Sequence, residues 1–252
     1  IYTCTTTGAR LTQVTDDAAP DLHGVWSPDG DSLAFHSKRD GDWDIYVRDA
    51  VTGDETAIVD TPAWEYLPCW SPDGERIAYQ SDQEGNVGIY IADADGANAE
   101  RVTDGRYTDY HPTFSPDGRY ITYQSKRGAD CDVYLLDLQT GEETNVTRSP
   151  STFDGWAHWS PDGEWLAYER CRSGEGDVCV IRPDGSDMRV VVPGAGYNSH
   201  PTWSPDGALI AYHSHEDGMW DIYTVEPDGS NRARVTRSAY CEWWPDWVPV
   251  PR

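Results

Sequence analysis

A six-residue motif that returns at a nearly constant spacing is the feature that most limits how this chain can fold. Its first copy, Val25–Gly30, reads Val-Trp-Ser-Pro-Asp-Gly, and the second position stays aromatic in every later copy. These marker aromatics lie 44 or 45 residues apart and are Trp26, Trp70, Phe114, Trp159, Trp203 and Trp247. A repeat of this length with strand and turn signals is typical of a chain built from stacked copies of one small unit.

The first repeat shows how each unit is predicted to fold. Residues 27–30 have the composition of a tight turn, in which proline presets one φ angle and glycine takes a positive one. A first strand ends at Trp26, and alternating apolar residues predict further strands at 32–36, 45–47 and 56–59. Four antiparallel strands in each of six repeats, without a helical period, predict an all-β fold, a six-bladed β-propeller.

The two ends of the chain share one repeat. Residues 1–15 carry the third- and fourth-strand pattern, and residues 240–252 carry the first-strand pattern. We therefore predict that 1–252 form one domain whose sixth blade is closed by strands from both ends. The second strand of that blade is missing from the sequence, so we expect either a three-stranded blade or further residues upstream of Ile1.

The charge of the chain excludes some classes of function. The formal net charge is −25, which argues against nucleic-acid binding and against docking on an anionic membrane. No apolar run approaches the ~20 residues that span a bilayer, so we expect no membrane insertion. The acidic excess leaves two explanations open, which are ordinary solvated acids and a surface that meets cations or a basic partner.

The cysteines predict a compartment. There are six, at positions 4, 69, 131, 171, 179 and 241, and none forms a Cys-x-x-Cys pair typical of zinc or redox sites. We therefore expect disulfides and an oxidising, extracytoplasmic location, either periplasmic or secreted. The first predicted bridge joins Cys171 to Cys179 across one hairpin, and the second joins Cys131 to Cys171 between neighbouring hairpins.

Several motifs recur in the same order in the repeats. They are Trp-Ser-Pro-Asp-Gly, then Ile-Ala-Tyr, then Asp-Ile-Tyr and a Pro-Asp-Gly or Ala-Asp-Gly turn. This order resembles the TolB-like β-propeller repeat over essentially the whole chain. The resemblance implies a propeller, and that repeat occurs in periplasmic partner-binding proteins, gating propellers of serine peptidases and some polysaccharide lyases. Because the sequence has no Gly-x-Ser-x-Gly motif, the peptidase branch is excluded.

The loop before each first strand is predicted to point toward the central channel. Five residues before the marker, the repeats carry Asp21, Glu65, Asp109, Asp154, Asn198 and Glu242. Three residues before the marker they carry His23, Leu67, His111, Trp156, His200 and Trp244. The histidines alternate between blades, which predicts that three imidazoles ringed by acids could bind a divalent cation, calcium or a transition metal, on the axis. The alternative is that these side chains only bond a neighbouring blade.

A second polar series lies ten residues after the marker, at His36, Gln80, Gln124, Glu169 and His213. We expect these side chains to be satisfied by a neighbouring loop. Tryptophans add another signal, with Trp64, Trp156, Trp243 and Trp244 before first strands and Trp43 and Trp220 between second and third strands. They suit stacking on a sugar or gripping a peptide, and the alternative is that they fill gaps between blades.

No complete catalytic constellation emerges from the sequence. We therefore predict a non-catalytic, extracytoplasmic propeller that binds protein partners through the loop face around the channel, as a subunit of a larger assembly. The alternative, from another class of function, is a metal-dependent carbohydrate-active enzyme of lyase type or a glycan-binding propeller that uses the acid and histidine ring.

Overall fold

A computed structural model of the chain describes residues 1–194, 196–237 and 241–249. Within these residues every regular element is a strand, and no helix is long and apolar enough to cross a membrane. The N-terminal pair is β1 (Tyr2–Thr3) and β2 (Thr12–Gln13). Blade one is β3 (Asp21–Trp26), β4 (Ser32–Ser37), β5 (Asp44–Asp49) and β6 (Glu55–Val59), and blade two is β7 (Glu65–Trp70), β8 (Arg76–Ser81), β9 (Gly88–Asp93) and β10 (Glu100–Arg101).

The next three blades follow the same plan. Blade three is β11 (Thr108–Phe114), β12 (Tyr120–Lys126), β13 (Cys131–Asp137) and β14 (Glu143–Asn145). Blade four is β15 (Phe153–Trp159), β16 (Leu166–Arg172), β17 (Glu175–Ile181) and β18 (Arg189–Val192). Blade five is β19 (Asn198–Trp203), β20 (Ile210–Ser214), β21 (Asp221–Val225) and β22 (Ala233–Arg234). The strands predicted at 32–36, 45–47 and 56–59 lie within β4, β5 and β6.

Each blade is an antiparallel meander in which sequential strands are neighbours. Blades three and four also join through a single parallel pair, Cys131 opposite Phe153. The first and second strands of each blade pack against the first strand of the next, so that the five blades form a propeller-like series. This arrangement places the first strands innermost, where their loops and bulges can meet.

The repeated turn is held by its own side chains. In the first copy the Ser27 hydroxyl donates to Asp29 at 2.6 Å, and the Gly30 amide donates to the Ser27 carbonyl at 2.9 Å. Gly30 has a φ of 79°, a left-handed value that glycine adopts without steric cost. The serine bond also lowers the pKa of Asp29. The motif therefore encodes a local turn that can form the same way in every repeat.

The core lies between the blades. Buried isoleucines and alanines of one blade pack against the tyrosines of the next, as where Ala34 and Ile45 meet Tyr79. The marker aromatics also pack between blades: the Trp70 indole donates to the Val25 carbonyl at 3.3 Å, and Trp247 donates to Thr202 at 3.2 Å. Because burying one such large apolar side chain stabilises a fold by roughly 2 kcal/mol, the repeat pattern itself supplies the stacking energy.

The two ends of the chain lie beside each other and beside blade one. The Trp26 amide donates to the Asp246 carboxylate at 3.2 Å, and Ile1 packs against Gly24. On the other side, the Glu242 amide donates to the Trp220 carbonyl at 2.9 Å. Of the C-terminal segment 240–252 that was predicted to enter the sixth blade, residues 240 and 250–252 lie outside the described residues.

The predicted disulfides are absent. All six cysteines, each within the described residues, are free thiols. In the β16–β17 hairpin, Cys171 lies opposite Gly176 whereas Cys179 lies opposite Tyr168, so the two sulfurs are three pairs out of register. Cys131 and Cys171 both flank Phe153 from opposite strands, which puts them two strand spacings apart. Neither pair meets the Cα separation of about 4.4–6.8 Å that a disulfide requires.

Candidate functional site

A bulge in the first strand of each blade aims one side chain inward. In β3, β7, β11, β15 and β19 the pairing register shifts between the fourth and the first residue before the marker. The residue three before the marker is left-handed in every repeat, with φ between 50° and 55°, at His23, Leu67, His111, Trp156, His200 and Trp244. Such values are uncommon for residues other than glycine, so the surrounding structure must hold them in place.

The second polar series supplies that restraint. The Leu67 amide donates to His36 Nδ1 at 3.4 Å, and the His111 amide donates to Gln80 Oε1 at 3.1 Å. The same bond links the Trp156 amide to Gln124 at 3.2 Å and the Trp244 amide to His213 at 3.3 Å. The fifth member, Glu169, instead accepts from the Ser199 hydroxyl. The series therefore acts between blades by fixing the bulge, as expected for polar groups satisfied by a neighbouring loop.

The inward side chains meet at an axial cavity. It is lined by His23, His111, His200, Trp156 and Trp244, and its volume of about 20 Å³ is enough for one water molecule. The His23 ring centroid lies 5.7 Å from that of His111 and 6.4 Å from that of His200. The structure thus brings together the three alternating histidines and both tryptophans that the sequence places three residues before the marker.

The three axial histidines are neutral at pH 7. Burial, followed by repulsion from neighbouring imidazoles, lowers the pKa of His23, His111 and His200 well below 6.5. His200 Nδ1 lies 2.7 Å from the Ser199 hydroxyl. Among the described residues, His23 Nδ1, His111 Nδ1 and His200 Nε2 have no hydrogen-bond partner. These buried nitrogens are the groups that a water or a cation in the cavity would contact.

The axial histidines do not form a ready metal cage. Across the described ranges, no group of three or more histidine, cysteine or acidic side chains has the arrangement to hold a metal ion. Leu67 interrupts the ring of polar residues in blade two, and the acids five residues before the marker do not line the cavity. In this conformation the geometry therefore fits a water-sized occupant better than a metal coordinated by three histidines.

The acids predicted to ring the axis lie at the starts of the first strands, where most bond within their own blade. Asp21 pairs with Arg39 at 2.9 Å and Asp154 with Arg170 at 3.2 Å. Asp109 accepts from Ser125 at 2.6 Å, and Asn198 donates to the Gly176 carbonyl at 2.9 Å. Glu65, which is fully buried, accepts from Thr61 at 2.7 Å and Ser81 at 3.0 Å through one oxygen only.

The region where the third strand of blade one meets the first strand of blade two is unusually acidic. Burial raises the pKa of Glu65 from 4.5 to about 7, against the effect of its two hydroxyl donors. Burial, followed by the charges of Asp42, Asp60 and Asp40, raises the pKa of Asp44 from 3.8 to about 6. Asp44 is fully buried, and neither of its carboxylate oxygens has a hydrogen-bond partner in the described part of the chain. We call Asp44 and Asp60 of blade one, together with Glu65 at the start of blade two, the blade-one acid site.

Two aromatic clusters lie on the same face, which we call the mouth face and define by the loops before the first strands and between second and third strands. In the blade-one cluster, Trp43 lies 5.5 Å and Trp64 6.4 Å from Tyr66, measured between ring centroids. In the blade-five cluster, Trp220 lies 5.9 Å from Tyr197 and 6.4 Å from Trp243. Trp64 and Trp243 are 51% and 49% exposed. Each cluster therefore offers one open indole beside partly buried aromatic rings.

The sequence and the fold both agree with a known family. The family model for the TolB beta propeller domain matches residues 1–109 and 88–250, which together cover nearly the whole chain. The chain belongs to the TolB β-propeller domain family. The all-β, propeller-like fold of this TolB-family protein is the one that its repeated turn and strand motifs predict.

Solved structures support the same fold. TolB from Acinetobacter baumannii is 24% identical over 95% of this chain and 60% of that chain, with a TM-score of 0.86. A TolB protein from Agrobacterium tumefaciens is 24% identical over 90% of this chain and 84% of that chain, with a TM-score of 0.82. An oligogalacturonate lyase in complex with manganese is 22% identical over 86% of this chain and 65% of that chain, with a TM-score of 0.66.

These likenesses describe the fold. The chain spans about 60% of the length of the Acinetobacter baumannii protein. No curated protein matches the sequence. What this TolB-family propeller binds must therefore be argued from its own mouth face.

Sequence reasoning did not single out Asp44. A signal for it was present, because an aspartate stands 18 residues after the marker in blades one, three, four and five, at Asp44, Asp132, Asp177 and Asp221. The four aspartates differ in the residues that the fourth strand places beside each one, and those residues are not part of the motif.

Proposed function

We propose that this protein is a non-catalytic, extracytoplasmic scaffold that binds a protein partner through the mouth face, as a subunit of a larger assembly. The observation that carries the proposal is the pair of half-exposed indoles, Trp64 and Trp243, each in contact with a partly buried aromatic ring. Large aromatic anchors on a rigid surface dominate the energetics of protein interfaces. The net charge of −25 favours a basic partner over nucleic acid or an anionic membrane.

The axial cavity supports a non-catalytic role. At about 20 Å³ it admits a water molecule but not an organic substrate. Burial lowers the pKa of His23, His111 and His200 well below 6.5, so the imidazoles that line it are neutral near pH 7. The binding surface is therefore the mouth face. Its loops are supported from below by the residues five before each marker, which are Asp21, Glu65, Asp109, Asp154, Asn198 and Glu242.

We further propose that residues 1–252 form one six-bladed domain. The indole bond from Trp247 to Thr202 repeats the one from Trp70 to Val25, which supports a sixth first strand after blade five. The bond from Trp26 to Asp246 supports closure of that blade onto blade one, with residues 1–15 as its outer strands. The extracytoplasmic location rests on the TolB resemblance alone, and cell fractionation tests it directly: recovery only in the cytosol would contradict it.

The partner is tested with mouth-face variants of the full chain as bait in extracts of the native source. We expect Trp64→Ala and Trp243→Ala to reduce recovery of a co-purifying protein by about tenfold or more, since each removes an interface anchor. The matched control is Trp165→Ala on the opposite face, where that indole stacks between Arg182 and Arg189. Equal recovery with all three variants would contradict binding through the mouth face.

A second candidate function is a metal-dependent carbohydrate-active enzyme of lyase type, or a glycan binder. The observation that favours it is the convergence of His23, His111 and His200 with unpartnered ring nitrogens. One solved structure with this fold is an oligogalacturonate lyase in complex with manganese. Metal analysis of the purified protein separates the two functions. A stoichiometric metal that is lost in His111→Ala and His200→Ala favours the enzyme. Purified protein without metal, together with variants that melt at the same temperature as the natural protein, excludes the enzyme.

A further inference from the structure

The start of the third strand has a recurring polar environment. In blade five, Asp221 is fully buried and pairs with the Arg234 guanidinium at 2.5 Å, and the Thr236 hydroxyl donates to it at 3.2 Å. In blade two the same position is Gly88, and the Arg101 guanidinium occupies the space where a side chain would stand. Arg101 and Arg234 are oriented alike, since each donates from Nε to the carbonyl of the threonine two residues later. Two blades therefore place a guanidinium at this position.

Blade three satisfies its aspartate by other donors. Asp132 accepts from the Asn145 amide at 2.9 Å, the Thr147 hydroxyl at 3.1 Å and the Ser149 backbone amide at 3.0 Å. In blade four, Asp177 accepts from the Gly194 amide. Blades three, four and five, which carry the aspartate at this position, each therefore provide a hydrogen-bond donor to it.

Blade one keeps the acid and lacks the donor. In strand β6, Tyr46 pairs with Ala57 and Ile45 with Val59. Ala57 and Val59 stand 31 and 33 residues after the marker, where blade five has Arg234 and Thr236, and neither side chain can donate a hydrogen bond. Both oxygens of buried Asp44 and Glu65 Oε2 are left without a hydrogen-bond partner among the described residues. A buried carboxylate without a counter-charge is costly, so this site has a strong demand for a cation.

We propose that the blade-one acid site receives an arginine side chain of the protein partner. This proposal rests on the proposed function, because it assigns a chemistry to the partner of the mouth face. The partner's guanidinium would donate hydrogen bonds to Asp44, as the Arg234 guanidinium does to Asp221 within blade five. It would also stack on the blade-one aromatic cluster beside the site. Exposed Asp60 and Trp64 form the outer part of the site, and Asp44 lies buried below the surface.

The surroundings favour a guanidinium over the other cations. A planar guanidinium can stack on the rings of Trp43, Trp64 or Tyr66 while donating to two carboxylates, which an ammonium group does less well. One cation already lies here, since Lys38 Nζ is 6.0 Å from the centre of the Trp43 ring. Calcium would need a cage of oxygen ligands, and the described residues form no metal-binding group.

The test uses the full chain and a synthetic probe, the pentapeptide acetyl-Gly-Ser-Arg-Ser-Gly-amide, with lysine and citrulline analogues. Binding is followed by the indole resonances of Trp43 and Trp64 in a ¹⁵N-labelled sample at about 0.15 M salt, where long-range attraction is screened. We expect the arginine peptide to bind at least about tenfold more tightly than the uncharged citrulline peptide, and Asp44→Asn to weaken it by a similar factor.

Blade five provides a reciprocal control. Asp221→Asn should leave peptide binding unchanged, because Asp221 is already paired. Arg234→Ala should create a second site, seen as shifts of the Trp220 and Trp243 indoles. Because the Asp44→Asn and Asp221→Asn comparison does not depend on Arg234→Ala, the proposal stays testable if that variant does not fold.

Three results would overturn the proposal: equal binding of the arginine and citrulline peptides, equal binding of the lysine peptide, or displacement of the peptide by equimolar calcium chloride. The last would assign the site to a metal ion. If the arginine peptide does not bind while recovery of the partner still depends on Trp64, the arginine proposal is contradicted and the proposed function is not. If recovery does not depend on the mouth face, the proposed function falls whatever the peptide does.

Discussion

Blades one and five carry the same two residues at the start of the third strand, Trp43-Asp44 and Trp220-Asp221, yet the two aspartates have opposite surroundings. Asp221 is paired with Arg234 and Thr236, and Asp44 faces other acids. Both carboxylates are fully buried. The repeat therefore fixes where the acid stands, while the residues of the fourth strand decide whether it is satisfied. Ala57 and Val59 of β6, in the places of Arg234 and Thr236, separate an open acid from a structural ion pair.

The apolar packing of blade one explains why the fold tolerates an unpaired buried acid. Blade one packs its strands as the other blades do, with fully buried Phe35, Ile45 and Ile77 between or beside its sheets. This apolar burial outweighs the cost of one buried carboxylate. Strain of this kind is typically retained where it serves binding, and it lies here on the face that carries an exposed indole.

The largest effect should come from breaking the satisfied site. Arg234→Ala leaves Asp221 buried and unpaired, and we expect it to lower the free energy of unfolding by about 3 kcal/mol, the lower end for a broken buried pair, since Arg234 is a quarter exposed. Urea denaturation followed by tryptophan fluorescence measures it. No change in midpoint would mean that the ion pair contributes nothing and that the two blades do not differ.

The pH dependence of stability should reveal the unsatisfied site. The pKa values of Asp44 and Glu65 are raised to about 6 and about 7, so the folded state holds these protons longer than the unfolded state. Their contribution to stability is present below pH 4 and is lost as the pH rises through 6 to 7. Relative to an Asp44→Asn, Glu65→Gln variant, the natural protein should lose about 2 kcal/mol between pH 4 and pH 8.

The comparison with the variant matters because other acids act in the opposite direction. The serine bonds of the repeated turn lower the pKa of Asp73 and Asp206, so these groups stabilise the fold more as the pH rises. A parallel pH profile for the natural protein and the double variant would contradict the raised pKa values of the blade-one acid site.

Neutralising the two aspartates singly should give effects of opposite sign. Asp44→Asn removes an uncompensated buried charge, and we expect it to raise the free energy of unfolding at pH 7 by about 1 kcal/mol. Asp221→Asn weakens an ion pair and should lower it. Thermal unfolding of both variants at pH 7 is the measurement, and a loss of stability in both would show that Asp44 has a partner.

The smallest effect should come from restoring the repeat. Val59→Thr places a hydroxyl at the position from which Thr236 donates to Asp221, 33 residues after the marker. We expect a gain of about 0.5–1 kcal/mol by chemical denaturation at pH 7. The reverse substitution, Thr236→Val, serves as the control and should destabilise blade five; a gain there would contradict the comparison.

Much of the fold follows from the sequence because its signals are local. The turn of Ser27–Gly30 closes through its own serine and aspartate, and the alternation that follows sets β4 and β5. The convergence of His23, His111 and His200 also follows, because a repeat places equivalent positions at equivalent places. Register measured from the marker aromatics was sufficient for these features.

The remaining features depend on contacts between distant segments. The left-handed backbone at His111 is held by Gln80 of the preceding blade, a bond that no local pattern displays. The expected bridge between Cys171 and Cys179 was wrong because a hairpin predicts proximity but not register, and the two residues are three pairs apart. The open state of Asp44 likewise depends on a contact with the fourth strand, where Ala57 and Val59 stand in the places of the donors Arg234 and Thr236.

The pKa of the Asp44 carboxyl group is the most direct measure of the central claim, that blade one carries an open acid which a partner's arginine fills. It can be followed by ¹³C NMR in the free protein and with the arginine pentapeptide bound. We predict a pKa of about 6 in the free protein, falling clearly when the guanidinium binds. A free-protein pKa near the ordinary 3.8, or a value that the peptide leaves unchanged, would contradict the claim.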